Sequence, residues 1–254
     1  MIGQSGLGSG EIQLDYLVWD GESTDGTVQA ALNAIGSWGR VVSRKDTGMY
    51  DALAQGFQLV EGDVYFYLNA GDLLLPGALM TLRRLFETTK ADWITGLDVY
   101  FSKNGTMISS RMPLRFKVNL IRKGAYGRIL PAIQQESTFW SRELMNTVNF
   151  DALRQFRLAG DYFLWWTFAQ SCAPTLVQAG LGGFSYHGDH LSEHKNEYSQ
   201  EVRGVAGRLT LPTRALALIE MFAWKIPRRF TAKLQAEIWM YDKANDTWVQ
   251  NASE

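Results

Sequence analysis

The first half of the chain alternates short apolar runs with segments whose apolar residues recur every three or four positions. The apolar runs IQLDYLVW at 12–19 and VYFYL at 64–68 predict strands. The segments TVQAALNAI at 27–35 and YDALAQGFQLV at 50–60 predict helices, and Pro76 suits the first turn of another helix. Because strands and helices alternate, we expect an α/β fold with a mostly parallel sheet flanked by helices.

An antiparallel hairpin is predicted beside that sheet. Two extended stretches, Trp93–Phe101 and Thr106–Met112, flank the dipeptide Asn104-Gly105. Asn-Gly between two such runs is a strong hairpin signal.

The second half of the chain is richer in helical patterns. LAGDYFLWWTFAQS at 158–171 predicts a helix, Leu176–Ser185 predicts a return to strand, and the pattern is mostly helical from Glu193 onward. We expect one main domain over residues 1–208 and a helical C-terminal extension over residues 209–254.

Composition excludes several classes of protein. The chain has 254 residues, of which 46% are hydrophobic, and a net charge of −1, so no global field attracts nucleic acid. The single cysteine, Cys172, excludes an internal disulfide framework and suits a reducing compartment. No apolar run approaches the roughly 20 residues of a membrane span, and the N-terminus lacks a signal-peptide pattern. We expect a cytoplasmic protein.

Acidic residues recur where predicted strands end. Asp20 follows the first strand, Asp46 follows a short strand at Val41–Val42, and Asp72 follows the strand at 64–68. Ligands of open parallel sheets bind beyond the carboxyl ends of the strands, so all three should open onto one edge. Asp20 could accept hydrogen bonds from a base or ribose, or serve only in a turn. The neighbouring Asp25 is interpreted as a turn and helix-cap residue.

The stretch YLNAGD suggests a site for a cation on a diphosphate. Such a cation needs hard oxygen ligands and keeps several waters, so few protein ligands suffice. Asp72 would supply a carboxylate and Asn69 an amide oxygen, while Ala70 and Gly71 let phosphates approach the backbone. The alternative is a capped turn before the Pro76 helix.

Asp161 lies near a predicted helix start among aromatic residues. A carboxylate there often only complements the helix dipole, but inside an aromatic cleft its proton affinity would rise toward that of a general base. The run HGDHLSEH holds His187, His190 and His194, which lack an established zinc-ligand spacing. A loop histidine that contacts a diphosphate or its metal is the preferred interpretation.

Several common catalytic motifs are missing or misplaced. The N-terminal GLGSG precedes a strand, whereas a phosphate-binding glycine loop follows one. No serine-hydrolase elbow, P-loop or Cys-His pair occurs in the sequence.

In order along residues 12–200, several segments resemble glycosyltransferase family 2, the inverting transferases with a GT-A fold. The matching stretches are VWDGESTDGT, SRKDTGMYDALAQGF, EGDVYFYLNAGDLLLPGAL, QQESTFW, FDALRQFRLAGDYFLWW and FSYHGDHLS. The resemblance implies transfer of a sugar from a nucleotide-sugar donor to a saccharide or lipid-linked acceptor, with inversion, in cell-surface polysaccharide biosynthesis. It also implies a divalent cofactor, Mn²⁺ or Mg²⁺.

The resemblance assigns roles by position. Asp161 takes the place of the catalytic base, and Asp72 is the metal ligand. The donor nucleotide and its diphosphate would be bound by Asp20, Asp46, Asn69, His187 and Ser192. Gln135 and Glu136 fall on the segment that lines the acceptor side.

One departure from the family pattern leaves a second function open. The family begins with a further strand and helix, whereas ten glycine-rich residues precede the strand at 12–19 here. We therefore expect a truncated domain whose neighbouring strands lack a partner. A decayed, non-catalytic module that binds a nucleotide or glycan is the alternative.

The C-terminal segment is basic and aromatic. Lys225, Arg228, Arg229 and Lys233 occur among Trp224, Phe230 and Trp239. This composition is compatible with peripheral contact at the inner face of a membrane. The alternative is a helix packed on the core with solvated basic residues.

Overall fold

The computed structural model describes residues 10–186, 194–226 and 237–251. Within them, strands alternate with helices in the N-terminal part, shorter elements follow, and two longer helices precede a terminal hairpin. In chain order the elements are β1 Tyr16–Asp20, α1 Thr27–Ile35, β2 Gly39–Ser43, α2 Met49–Phe57, β3 Val64–Tyr65, β4 Leu73–Leu74, α3 Ala78–Thr89, β5 Trp93–Thr95, β6 Asp98–Phe101, β7 Met107–Arg111, α4 Val118–Arg122, β8 Thr138–Ser141, α5 Arg142–Met145, α6 Phe150–Leu153, α7 Gly160–Phe168, β9 Thr175–Leu176, β10 Gly182–Ser185, α8 Lys195–Ala206, α9 Leu211–Lys225, β11 Trp239–Asp242 and β12 Thr247–Gln250.

The N-terminal unit β1-α1-β2-α2 is a parallel crossover pair. β1 and β2 pair in parallel, with Asp20 opposite Ser43 at their carboxyl ends. Asp25 accepts hydrogen bonds from the backbone nitrogen and the hydroxyl of Thr27, at 3.1 and 2.6 Å, at the start of α1. Asp25 therefore forms the helix-entry turn expected from the sequence.

The α/β class is confirmed, but the described strand pairs run in both directions. In the sheet ordered β3-β8-β5-β9, β8 is antiparallel to β3 and β5, while β5 and β9 are parallel. Among the described residues, a 3₁₀ turn at Gln135–Ser137 rather than a crossover helix leads directly into β8. Strand–helix alternation therefore predicted more parallel pairing than the chain forms.

A second sheet, ordered β4-β10-β6-β7, contains the predicted hairpin. β6 and β7 pair antiparallel, and the backbone nitrogen of Gly105 donates to Ser102 O at 2.9 Å across the turn. Gly105 has φ 76°, which a residue with a β-carbon adopts only with strain. The connection is a three-residue loop with a bulge at Tyr100/Phe101.

Large aromatic side chains form the centre of the main core. Trp93 of β5 stacks on Trp165 of α7 with ring centroids 5.6 Å apart, and Trp140 of β8 packs edge-on against Trp165. Helix α7 contacts α4, α6 and α8 as well, so most of its residues are buried. This burial explains why LAGDYFLWWTFAQS is apolar on every side.

The predicted C-terminal extension is helical only in part. Helix α9 agrees with the prediction, but β11 and β12 form an antiparallel hairpin where helix was expected. The connecting residues make a turn, since Asp242 accepts a hydrogen bond from Ala244 N at 2.9 Å and Asp246 has φ 49°. The hairpin joins the main body through Gln178 N, which donates to Trp239 O at 2.8 Å. A domain boundary at residue 208 stays a prediction.

A cavity of about 500 Å³ borders the free edge of β1. Among the described strands β1 pairs with β2 alone. The cavity separates it from the extended segment 66–74, and α2 contributes Met49 and Leu53 to its lining. That the domain lacks a strand of the family pattern stays a prediction. Within the described residues, no helix is long and apolar enough to cross a bilayer.

Candidate active site

Asp20 is buried at the carboxyl end of β1. Its Oδ2 accepts hydrogen bonds from Ser43 Oγ at 2.7 Å and from Ser23 N at 3.0 Å. Hydrogen bonds from Ser23 and Ser43 hold the pKa of this carboxyl below its usual range, so it is ionised at neutral pH. An ionised carboxylate with one oxygen already held in place suits recognition of a donor group on a nucleoside.

Asp46 lies beside Asp20 although 26 residues separate the two in sequence. Its Oδ2 accepts a hydrogen bond from Trp19 Nε1 at 3.0 Å, and its Oδ1 accepts one from Gly48 N at 3.0 Å. A β-carbon on Gly21 would lie 3.0 Å from Asp46 Oδ2. The two loops after β1 and β2 therefore touch, and both predicted nucleoside-contacting acids share one edge.

The segment Asn69–Asp72 is a tight turn at the end of the strand-like run. Asp72 N donates to Asn69 O at 3.1 Å, and Gly71 has φ 96°. The Asp72 side chain reaches β10, the partner of the following strand β4, where its Oδ1 accepts a hydrogen bond from Ser185 N at 3.0 Å. This contact places Asp72 at the end of β10, immediately before the residues that include His187.

Glu136 is buried against Asp72. Burial, and then the neighbouring Asp72 carboxylate, raise the pKa of Glu136 above its usual range. Gln135 donates a hydrogen bond from Nε2 to Glu136, while its buried Oε1 has no partner among the described residues. Glu136 thus lies beside the predicted metal ligand, and its place on the acceptor side stays a prediction.

This group of oxygens fits a divalent cation. Mg²⁺ and Mn²⁺ take carboxylate and amide oxygens and complete their coordination with water and phosphate. Asp72, Glu136 and the unpaired Oε1 of Gln135 supply such oxygens. Within the described residues, no group of three or more histidine, cysteine or acidic side chains is arranged to hold a metal ion by itself.

Asp161 lies in the first turn of α7 with a tyrosine on each side. Its Oδ1 accepts hydrogen bonds from Tyr162 N at 2.7 Å, from Tyr198 OH at 3.3 Å and from Tyr50 OH at 3.5 Å. Part of the side chain stays exposed, yet surrounding atoms desolvate the carboxylate and raise its pKa to about 6. A carboxylate with this pKa accepts protons near neutral pH better than an ordinary aspartate does.

Two further contacts fix the position of Asp161. Glu201 of α8 accepts hydrogen bonds from the backbone nitrogens of Arg157, Leu158 and Ala159 at 3.1, 3.0 and 2.7 Å. A β-carbon on Gly160 would lie 2.3–2.6 Å from the ring of Tyr50, so only glycine fits there. Sequence reasoning missed the roles of Tyr50, Tyr198 and Glu201. Of these three residues, only Tyr50 lies in a stretch that carries the family resemblance, SRKDTGMYDALAQGF, so only its role could have been suspected from the sequence.

The buried Tyr67 lies between the two groups of acids. The charges of Asp161 and Glu136 both act on its hydroxyl, as does the hydroxyl of Tyr50. The predicted base and Glu136, the neighbour of Asp72, therefore lie around one aromatic residue. Asp46 lies in the loop that leads into α2 and Tyr50, and Asp20 contacts Ser43 at the start of that loop.

The histidine loop lies largely outside the described residues. Both His187 and Ser192, which were assigned to donor binding, fall in that undescribed part, as does His190. His194 is described, and its Nδ1 lies 3.5 Å from Glu197 at the start of α8.

The model of the family described as glycosyl transferase family 2 matches residues 11–149, which is more than half of the chain. The chain belongs to glycosyltransferase family 2. The matched residues include the loops of Asp20 and Asp46, the Asn69–Asp72 turn and Glu136. Asp161 and the aromatic helix α7 follow the matched region. A search of curated proteins gives no match.

Solved structures of S. aureus TarS share the fold. The structure of TarS 1-349 in complex with UDP-GlcNAc is 11% identical with a TM-score of 0.54, and 89% of this chain aligns with 62% of that one. The complex of TarS 1-349 with UDP is 11% identical with a TM-score of 0.56, covering 88% of this chain and 66% of that one. The chain thus has a GT-A-like fold and spans less than two thirds of these structures.

Proposed function

We propose that this family 2 chain transfers a sugar from a nucleotide-sugar donor to a hydroxyl of a saccharide or lipid-linked acceptor, with inversion. The observation that carries the proposal is the setting of Asp161. It has a pKa of about 6, two tyrosine hydroxyls that orient it, and a neighbouring pair of acids that fits a cation. The TarS complexes with UDP-GlcNAc and UDP support a nucleotide-sugar donor.

In the proposed reaction Asp161 acts as the general base. Its carboxylate removes the proton from the acceptor hydroxyl, whose oxygen then attacks the anomeric carbon from the face opposite the diphosphate. A single displacement breaks the bond to the diphosphate and inverts the anomeric centre. Tyr50 and Tyr198 hold the carboxylate in position while its charge changes.

The remaining acids serve the donor in this proposal. Asp20 and Asp46 contact the nucleoside. Asn69 offers an amide oxygen at the diphosphate and its cation, while Ala70 and Gly71 let the phosphates approach the backbone. Asp72 and Glu136, with Gln135, hold a divalent ion, Mn²⁺ or Mg²⁺. When bound, that ion offsets the charge that develops on the leaving diphosphate. His187 and Ser192 are assigned to the same diphosphate.

The wider setting is proposed from the family. We place the chain in the assembly of a cell-surface polysaccharide, in the cytoplasm or at the inner face of the membrane, where nucleotide sugars and lipid-linked acceptors meet.

Isothermal titration with UDP- and GDP-sugars, with and without Mn²⁺, tests the donor site. We expect Mn²⁺ to tighten donor binding to the wild-type chain, and we expect Asp72→Ala to lose most of that gain. Asp63→Ala is the matched control, because Asp63 is an exposed carboxylate paired with Arg142 outside the site. Donor binding that is independent of Mn²⁺ and equally tight in wild type and Asp72→Ala would refute the proposal.

The free edge of β1 favours one second candidate, a non-catalytic module that binds a nucleotide or glycan. The cavity beside β1 reaches the Asn69–Asp72 turn, so it adjoins the proposed donor site. If donor hydrolysis is equally slow in wild type and Asp161→Asn while both bind the donor, this second function is correct.

A further inference from the structure

Helix α9 has an apolar face that is exposed to solvent. Its exposed large side chains are Leu211, Leu218, Ile219, Phe222 and, just after the helix, Ile226, with exposed fractions of 80, 44, 64, 63 and 45%. At 100° per residue these side chains, with Ala215 between them, fall within an arc of about 100°. The helix is about 22 Å long, so the stripe is a continuous surface rather than scattered single residues.

The opposite face of α9 explains its attachment to the protein. Thr213 and Ala217 are buried, while Leu216, Met221 and Trp224 pack against the main core. The helix is therefore held by one apolar face while a second apolar face has no partner among the described residues. Core packing alone does not account for apolar residues on both sides.

The charges around the exposed face are positive. Arg214 and Lys225 lie along one border of the stripe, and both are exposed. The helix has one acid, Glu220, which lies on the opposite side in an ion pair with Lys117. The exposed face thus offers apolar side chains and cations without a competing carboxylate from α9.

We propose that this face of α9 docks on an anionic membrane surface. A helix that lies in the plane of a bilayer interface buries large apolar side chains among the acyl chains and keeps its cations at the headgroups. The net charge of −1 does not oppose this, because attraction to a charged surface acts over about a Debye length and depends on the local charge. The proposal is independent of the reaction proposed above.

Co-sedimentation with lipid vesicles tests the proposal. The full chain should sediment with vesicles of phosphatidylcholine and phosphatidylglycerol but not with vesicles of phosphatidylcholine alone, and added salt should weaken the binding. The double variant Ile219→Ser/Phe222→Ser should lose about tenfold or more of its apparent partition constant. Arg214→Ala/Lys225→Ala should lose the preference for anionic vesicles.

A matched control separates this face from general apolar exposure. Met107→Ser/Ile108→Ser removes two side chains that are 50 and 59% exposed on β7, and it should bind vesicles like the wild type. Thermal unfolding by circular dichroism should be similar for both double variants, since all four side chains are exposed. Absence of wild-type binding to anionic vesicles, or equal binding by Ile219→Ser/Phe222→Ser, would overturn the proposal. If the wild type is instead a dimer that does not bind vesicles, and Ile219→Ser/Phe222→Ser makes it a monomer, a second copy of the chain covers the face and the proposal is wrong.

Discussion

At the residue scale, the proposed chemistry depends on how the protein sets the proton affinity of Asp161. Desolvation raises its pKa to about 6, and hydrogen bonds from Tyr162, Tyr198 and Tyr50 limit the rise. The carboxylate is therefore ionised at neutral pH yet more basic than a solvated aspartate. Tyr198 is a positioning residue, because it acts on the reaction through Asp161.

Substitution Tyr198→Phe should shift the pH profile. Loss of its hydrogen bond destabilises the ionised carboxylate, so the pKa of Asp161 should rise by about 0.5–1 unit, and the acidic limb of kcat/KM should move to higher pH. Steady-state release of nucleoside diphosphate across pH measures the limb. Tyr241→Phe, on the exposed C-terminal hairpin, should leave it in place. Coincident limbs for Tyr198→Phe and the wild type would show that Tyr198 does not tune the base.

At the element scale, the start of α7 is set by close packing rather than by helix propensity. Gly160 brings the helix against the ring of Tyr50, and Glu201 of α8 caps the preceding backbone. The site therefore depends on three helices that lie far apart in sequence.

Gly160→Ala should destabilise the protein by about 1–3 kcal/mol, because its β-carbon would overlap the ring of Tyr50. The matched control is Gly204→Ala in α8, where a β-carbon meets nothing within 4 Å. That change should stabilise the protein by about 0.5–1 kcal/mol, since alanine favours a helix interior. Urea denaturation measures both variants. Equal stabilities would exclude the packing role given to Gly160.

The sequence was informative where periodicity is local. Strand–helix alternation located β1, α1, α2 and α3, and Asn104-Gly105 located the hairpin turn. Tertiary pairing decided what was missed. Thr138–Trp140 was predicted to be extended, but the antiparallel entry of β8 into the sheet was not predicted. The hairpin of β11 and β12 was predicted to be helical.

In the candidate site, too, local motifs were predictable from the sequence and tertiary contacts were not. Acids at strand ends were visible as short motifs, and their shared edge followed from sheet direction. The contact of Glu136 with Asp72 and that of Tyr198 with Asp161 join residues 64 and 37 positions apart, on separate elements of the chain. No periodic pattern marks such a contact.

At the scale of the whole molecule, three acids among the described residues have a raised pKa. Desolvation raises the pKa of Asp98 and of Asp161 to about 6, and it also raises the pKa of Glu136. For each, the folded state binds its proton more tightly than the unfolded chain does. Their contribution to stability is therefore greatest below the unfolded pKa and is lost as pH rises through the folded pKa.

Asp98→Asn tests this dependence outside the candidate site. Asp98 is 5% exposed on β6, with Arg111 at 3.9 Å. The wild type should lose stability between pH 4 and pH 7 as this carboxyl ionises, and the variant should lose about 1–2 kcal/mol less over the same range. Chemical denaturation at several pH values gives both curves. Parallel curves would mean that Asp98 does not titrate with a raised pKa.

The central claim, that Asp161 is the base of a nucleotide-sugar transferase, is tested most directly by Asp161→Asn. Release of nucleoside diphosphate is measured for wild type and variant across pH, together with donor affinity by titration calorimetry. We predict turnover that falls about 10²–10⁴-fold in the variant, donor affinity that is nearly unchanged, and wild-type activity that declines below about pH 6. Turnover by Asp161→Asn equal to that of the wild type would contradict the claim.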